Sequence, residues 1–270
     1  MTQANAAGSL QPNLYRPSSI PPSQILVMMR ARFLASATAL CGPLLALALT
    51  TPAAAQQRAY LIWLDAAKID VAKVMGLPPA QNSPEHRAEF EKVLALSSAR
   101  TPEREKQAIA DQYQTFNAFL KGMDHNYIDG THRETRLLMR EAQVELAILL
   151  KSVNRLTSRI RPFQMWNKVR VKPCPGGRPE GTSFPSAHAA TAALYATLLS
   201  DAVPELADKF EERVKSYDES RLICGFHYPT DLEAGDKIGR VVAKALLAEK
   251  AFKVRYDETK PEIRQAFGLK

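Results

Sequence analysis

The chain has 270 residues, 46% of them apolar and 24% charged, enough to bury one substantial core and too apolar for a chain disordered over most of its length. Residues 1–55 hold three of the 36 basic residues and none of the 28 acidic ones, so without them the formal charge falls from +8 to +5. That mild excess suits small anionic ligands. No Lys/Arg run with interleaved aromatics accompanies it, which argues against nucleic acid as a specific partner.

Taken in chain order, residues 1–27 are rich in Pro, Ser, Asn and Gln and read as a disordered extension or a mis-assigned start ahead of Met28 or Met29. Residues 28–55 then carry a basic start (Arg30, Arg32), an apolar run from Phe33 to Leu49 and a small-residue ending at Ala53-Ala54-Ala55. These are the three parts of a secretory signal peptide, with cleavage expected after Ala55. An uncleaved anchor is the alternative, since the apolar run approaches the ~18 residues that span a bilayer. Gly42-Pro43 interrupts that run, which favours cleavage. Two cysteines follow the leader, Cys174 and Cys224. In an oxidising compartment they are candidates for a disulfide, against the alternative of two separate thiols.

The remaining chain, 56–270, reads as helices joined by short polar breaks. Ser83-Pro84-Glu85 and Thr101-Pro102-Glu103 each place a capping residue before a proline and an acid in a first turn. Thr131-His132-Arg133-Glu134 reads as a capping box opening a long helix to about Leu156, with Leu138, Ala142, Leu146 and Leu149 at near-helical spacing. Further helices are expected over 186–200, 204–226, 230–251 and 260–267. The first carries a stripe of Ala189, Ala192, Ala193 and Ala196 that permits close packing. No alternating strand pattern and no repeat is found, so the expectation is an all-α, single-domain helical bundle with loops at 121–130 and 162–185. The prolines and glycines between Gln164 and Thr182 preclude regular structure there, and a loop of that length leading into Ser186 and His188 reads as a wall of a pocket.

Three short blocks carry the chemistry. Ser220-Arg221 is followed by His227 and Asp231, four apart, so a helix starting near His227 would stack imidazole and carboxylate on one face. Phe184-Pro185-Ser186-Ala187-His188 offers a second histidine where a helix begins, and Arg159-Ile160-Arg161-Pro162 adds guanidiniums. Alone, a His/Asp pair at this spacing also describes an ordinary surface hydrogen bond. Together the blocks supply what phosphoryl chemistry needs: bidentate forks on Arg161 and Arg221, amides near Ser186 and Ala187 at a helix N-terminus, and the Ser186 hydroxyl. His86, His125 and His132 have no partner pattern that suggests metal binding.

These blocks resemble the signature of the type 2 phosphatidic-acid phosphatase superfamily, K-x6-R-P, P-S-G-H and S-R-x5-H-x3-D. The leader and the string SRLICGFHYPTDLEAG are most similar to the class A bacterial non-specific acid phosphatases. The resemblance implies a bundle of the acid phosphatase/vanadium haloperoxidase type. It implies His227 as a nucleophile that becomes phosphorylated, Asp231 holding its tautomer, and His188 as acid and then base, without metal or other cofactor. Neutral His227 beside protonated His188 predicts a bell-shaped rate profile with an acid optimum. Two positions depart from the signature: Asn154 stands where the lysine belongs, and Ala187 where the glycine belongs. Arg155 and Lys151 are candidate compensating cations. The reading is a periplasmic or secreted acid phosphatase acting on small phosphorylated substrates, off the membrane once the leader is cleaved, with a homo-oligomer compatible. The alternatives are a vanadium-dependent haloperoxidase and a phosphate-ester-binding protein impaired in turnover.

Overall fold

A computed structural model of the chain describes residues 61–165, 170–177 and 180–270, so the expected extension over 1–27 and signal peptide over 28–55 lie outside the described residues. Among those described there are nine α-helices and no β-strand, which makes the fold all-α. They are α1 (Val71–Met75), α2 (Pro84–Ser98), α3 (Pro102–Ala110), α4 (Phe116–Leu120), α5 (Arg133–Val153), α6 (Ala187–Ala202), α7 (Ala207–Ile223), α8 (Pro229–Ala248) and α9 (Lys250–Ala266). No helix among the described residues is long and apolar enough to cross a membrane.

The caps read from sequence at α2 and α3 form: Ser83 Oγ accepts from His86 N–H at 3.2 Å and Thr101 Oγ1 from Arg104 N–H at 3.2 Å. The capping box at Thr131 does not. His132 is the N-cap of α5 and makes no side-chain cap. Glu262 of α9 instead accepts from the Thr135 amide at 2.7 Å and hydroxyl at 2.8 Å, a tertiary cap that no local pattern announces. Helix α5 stops at Val153, short of Leu156, with Asn154 as its C-cap. Past α8, the two helices expected over 230–251 and 260–267 become Pro229–Ala248 and Lys250–Ala266. Glu249 caps α9 by accepting from Phe252 N–H at 2.8 Å, and Pro261 lies inside the helix. The buried stripe Phe252, Tyr256, Thr259 and Ile263 holds α9 together across that proline.

Helix α6 is the central element, its residues from Ala189 to Ala196 all buried. It packs most extensively along α8 and also meets α7, α5 and α9. The seam with α8 is a backbone contact. A Cβ on Gly235 would fall 2.3 Å from the Ser186 carbonyl oxygen, and one on Gly239 would fall 2.1 Å from that of Ala190. The small residues Ala189, Ala190 and Ala193 face these glycines, so the alanine stripe seen in the sequence has its partner in α8. Where α6 and α8 begin, the Ser186 amide donates to the Asp231 carbonyl at 2.9 Å.

Helices α3 and α4 are tied to α7 by arginines. Buried Arg213 donates to Asp111 at 2.6 Å and to the Phe119 carbonyl at 2.7 Å, and Arg104 donates to Glu219 at 2.9 Å and Ser220 Oγ at 2.9 Å. The loop from Asp111 to Thr115 is thereby pressed against the start of α6. Cys174 and Cys224 are disulfide-bonded, joining the long loop to the end of α7.

Replacing Gly239 with alanine should separate α6 from α8 and lower stability by about 1–3 kcal/mol, the usual cost of overpacking. Thermal melting of Gly239→Ala beside Gly130→Ala, whose added Cβ meets nothing within 4 Å, checks this. Equal midpoints for wild type and Gly239→Ala would contradict the seam.

Candidate active site

One cavity of about 560 Å³ opens between the starts of α6 and α8, the ends of α5 and α7, and the loops at 112–114 and 177–185. Eight of the residues singled out from sequence line it: Lys151, Asn154, Arg155, Arg161, Ala187, His188, Arg221 and His227. Four of them are Lys or Arg, and among the described residues the lining holds one acid, Glu180, so the field inside favours an anion. The long loop supplies Gly177, Gly181 and Thr182, the wall its composition suggested.

His227 reaches the cavity because α7 ends in a Schellman turn. Gly225 at φ +65° lets its own amide donate to the Leu222 carbonyl at 2.8 Å and the Phe226 amide to the Arg221 carbonyl at 3.0 Å. The chain then turns through His227 before α8 starts at Pro229. His227 Nδ1 lies 2.8 Å from the Ser183 carbonyl oxygen, which only an Nδ1–H can satisfy, so Nε2 keeps its lone pair. An N–H of Arg161 points at Nε2 from 3.2 Å.

Asp231 is placed differently from the expected direct bond to the imidazole. Its Oδ2 is 3.6 Å from His227 Nδ1, beyond hydrogen-bond range. The reason is that His227 precedes α8, so the pair is not stacked on helical turns. Oδ2 instead accepts from the Ser183 hydroxyl at 2.6 Å and the Tyr228 amide at 2.8 Å. Oδ1 pairs with Arg159 at 2.5 Å, and Arg159 also pairs with Glu89 at 2.5 Å. Asp231 therefore acts on His227 through its charge and through Ser183, which it holds by the hydroxyl while the carbonyl holds the ring. Arg159 is a buried support and does not line the cavity.

His188 sits in the first turn of α6, its ring centroid 6.4 Å from that of His227. Ser186 departs from its expected place in the lining. It is fully buried, its amide is bound to Asp231, and its hydroxyl oxygen accepts from Ala189 N–H as the N-cap of α6. The unspent donors of that turn are the amides of Ala187 and His188, both cavity residues. Arg221, 1% exposed, donates to the Ala108 carbonyl at 2.8 Å, and Arg161, 5% exposed, donates to the Phe226 and Thr182 carbonyls at 2.9 Å. The buried Nε groups of both arginines find no acceptor among the described residues. Lys151, Asn154 and Arg155 are exposed together at the mouth. Gln112 and Gln114 also line the cavity, as residues of a polar loop that carry no signal in the sequence. Among the described residues no group of His, Cys, Asp and Glu could hold a metal ion.

Burial lowers the pKa of His188 well below the usual histidine value, and the charges of Arg221, His227 and Arg161 push it the same way. His227 is also lowered, by burial and then Arg161, against the opposing pull of Asp231 and Ser183. Both shifts favour the neutral imidazole over the charged one. Burial lowers the guanidiniums too, Arg161 to about 10, which leaves it charged near neutrality.

These shifts fix a stability profile. His86, buried beneath Tyr228, is lowered as well, so below the ordinary histidine value of 6.5 the unfolded chain takes up protons more readily than the folded chain does at three imidazoles. The stabilisation is complete above pH 6.5 and is lost as pH falls beneath it. Each imidazole contributes a slope of up to about 1.4 kcal/mol per pH unit. Denaturant midpoints should fall between pH 6.5 and 5, and a flat midpoint would contradict these shifts.

Residues 144–255 match the PAP2 superfamily. Over 123 residues the chain is 33% identical to a non-specific acid phosphatase of Salmonella typhimurium, covering 44% of this chain and 48% of that protein. It is 28% identical over 106 residues to a non-specific acid phosphatase of Providencia stuartii, covering 39% of this chain and 43% of that one. The chain thus matches about half the length of these curated relatives. A transmembrane PAP2-type phosphatidylglycerolphosphate phosphatase from Bacillus subtilis superposes with a TM-score of 0.43 at 19% identity, over 66% of this chain and 88% of that one. The segment that matches the PAP2 superfamily contains both cavity histidines and all three cavity arginines.

Proposed function

We propose that the protein is a metal-independent acid phosphatase that hydrolyses small phosphate monoesters through a phosphohistidine on His227. The observation that carries this reading is the tautomer of His227: Nδ1–H is bound to Ser183, and the free lone pair of Nε2 faces a cavity walled by Arg161, Arg221 and His188. A phosphoryl group entering there displaces Arg161 from Nε2 and accepts from both guanidiniums and from the amides of Ala187 and His188. Nε2 attacks phosphorus and the P–O ester bond breaks. The leaving oxygen takes a proton from His188. Water then gives a proton to His188 and attacks phosphorus, the N–P bond breaks, and phosphate leaves with His227 neutral.

Burial and the neighbouring guanidiniums disfavour the charged form of His188, so its role as acid calls for a source of a proton. A phosphate monoester has its second pKa near 6, so below about that pH it arrives as the monoanion and brings the proton with it. This supports activity on the acid side of neutrality. Arg161, Arg221 and the helix amides stabilise charge that a bound metal would otherwise offset, so the scheme calls for none. Export to the periplasm or medium belongs to the same reading, supported by the leader sequence and by the Cys174–Cys224 disulfide.

With para-nitrophenyl phosphate, the chain from Gln56 onward should give a bell-shaped kcat/KM profile peaking below pH 7, unchanged by chelators. His227→Ala should lower kcat/KM by about a thousandfold or more. A chelator-sensitive rate, or turnover surviving in His227→Ala, would overturn the mechanism. Phosphate binding without turnover would favour an impaired binding protein.

Asn154 lines the mouth without charge, so Asn154→Lys should raise kcat/KM, by about tenfold for one added cation near the phosphoryl group. Kinetics of that variant beside Lys151→Gln and Arg155→Gln test which cation serves. An unchanged rate in Asn154→Lys, with both glutamine variants losing activity, would show that the neighbouring cations already fill the role.

A further inference from the structure

The loop joining α3 to α4 lies outside the matched segment, yet it engages both ring nitrogens of His188. Nε2 is 2.9 Å from the Gln112 carbonyl oxygen, and Nδ1 is 3.3 Å from the side-chain nitrogen of Gln114. The orientation of the Gln114 amide is set by Thr191 of α6, whose hydroxyl donates to Oε1 at 3.3 Å. Its backbone is fixed as well, because Gln143 of α5 donates to the Gln114 carbonyl and Thr115 caps α4. A carbonyl accepts only and an amide nitrogen donates only, so the two contacts together allow one arrangement of the neutral ring: proton on Nε2, lone pair on Nδ1.

We propose that Gln114 is a positioning residue that, with the Gln112 carbonyl, holds the His188 proton on Nε2 and opposes a second proton on Nδ1. Its consequence for catalysis rests on the phosphatase reading. Both Gln112 and His188 line the cavity, so an ester oxygen arriving beside Nε2 takes the place of the Gln112 carbonyl as acceptor. The other groups facing the ring are the guanidiniums of Arg221 and Arg161, the imidazole of His227 and the phenol ring of Tyr217, 6.2 Å away. None of them is an anion, so the neighbour at Nδ1 decides how readily the ring takes up charge.

Gln114→Glu exchanges the donor at Nδ1 for an anionic acceptor of the same shape, and Gln114→Met removes the donor and keeps the bulk. In the uniformly 15N-labelled free protein, wild-type His188 should show protonated Nε2 and unprotonated Nδ1. In Gln114→Glu, Nδ1 should become protonated and the ring should titrate at least about one pH unit higher. Gln114→Met should keep the proton on Nε2, which the Gln112 carbonyl still accepts, and should raise the ring titration by less than Gln114→Glu does. With para-nitrophenyl phosphate, the alkaline limb of kcat/KM should move up in Gln114→Glu by the same amount as the ring titration. Identical ring shifts and titration in wild type and both variants would overturn the proposal. The ring measurement needs no turnover: a moved titration with no phosphatase activity in wild type would sink the phosphatase reading and leave the role of Gln114 standing.

Discussion

Gly235 and Gly239 allow the backbone of α8 to touch the backbone of α6, and the spacing of the two histidines follows from that contact. With side chains at these positions, carbonyl oxygens of Ser186 and Ala190 would lie 2.3 and 2.1 Å from a Cβ, and the helices would have to part. The Ser186 amide also bonds to the Asp231 carbonyl, so the first turns of the two helices are joined directly. His188 and His227 stand beside that junction, which explains how residues distant in sequence share one hollow. The relevant energy is that of close packing, in which shifts of a few tenths of an ångström are resisted by the whole interface.

Around the junction lies a layer of buried charge that never meets the cavity. Arg159 pairs with both Asp231 and Glu89, and it also stacks 4.1 Å above the Tyr228 ring. Removing one member would strand its partners in a poorly solvated interior, at a cost of about 3–5 kcal/mol. The cluster orders Ser183, Ser183 orders His227, and the imidazole tautomer is thus set two residues away from the charge. On the opposite wall Gln112 and Gln114 set His188 with neutral groups alone. The two imidazoles therefore experience different surroundings, a carboxylate in reach of His227 and only neutral hydrogen-bond partners on His188.

The sequence was informative wherever a local rule decided the outcome. Ser83-Pro84 and Thr101-Pro102 start helices because each cap is made within one turn, and the alanine stripe of α6 announced a close neighbour. Arg161, Arg221, His188 and His227 were found through fixed spacings in three blocks. What escaped detection depends on distant partners. Glu262 caps α5 from α9, and Pro261 continues a helix because its buried face is held by the core. Ser183, Gln112 and Gln114 act through bonds to residues tens of positions away and have no pattern of their own. The direct His227–Asp231 bond was a wrong expectation for a related reason: four-residue spacing implies stacking only inside a helix, and His227 lies before one.

The central claim is that His227 Nε2 is the atom that takes the phosphoryl group. Rapid quenching of the enzyme during turnover under alkaline conditions, followed by peptide mass spectrometry, tests it most directly. The account predicts phosphate on the peptide containing His227, stable to alkali, lost in acid, and absent from His227→Ala. Phosphate on any other residue, or steady turnover with no phosphorylated peptide at any quench time, would contradict it.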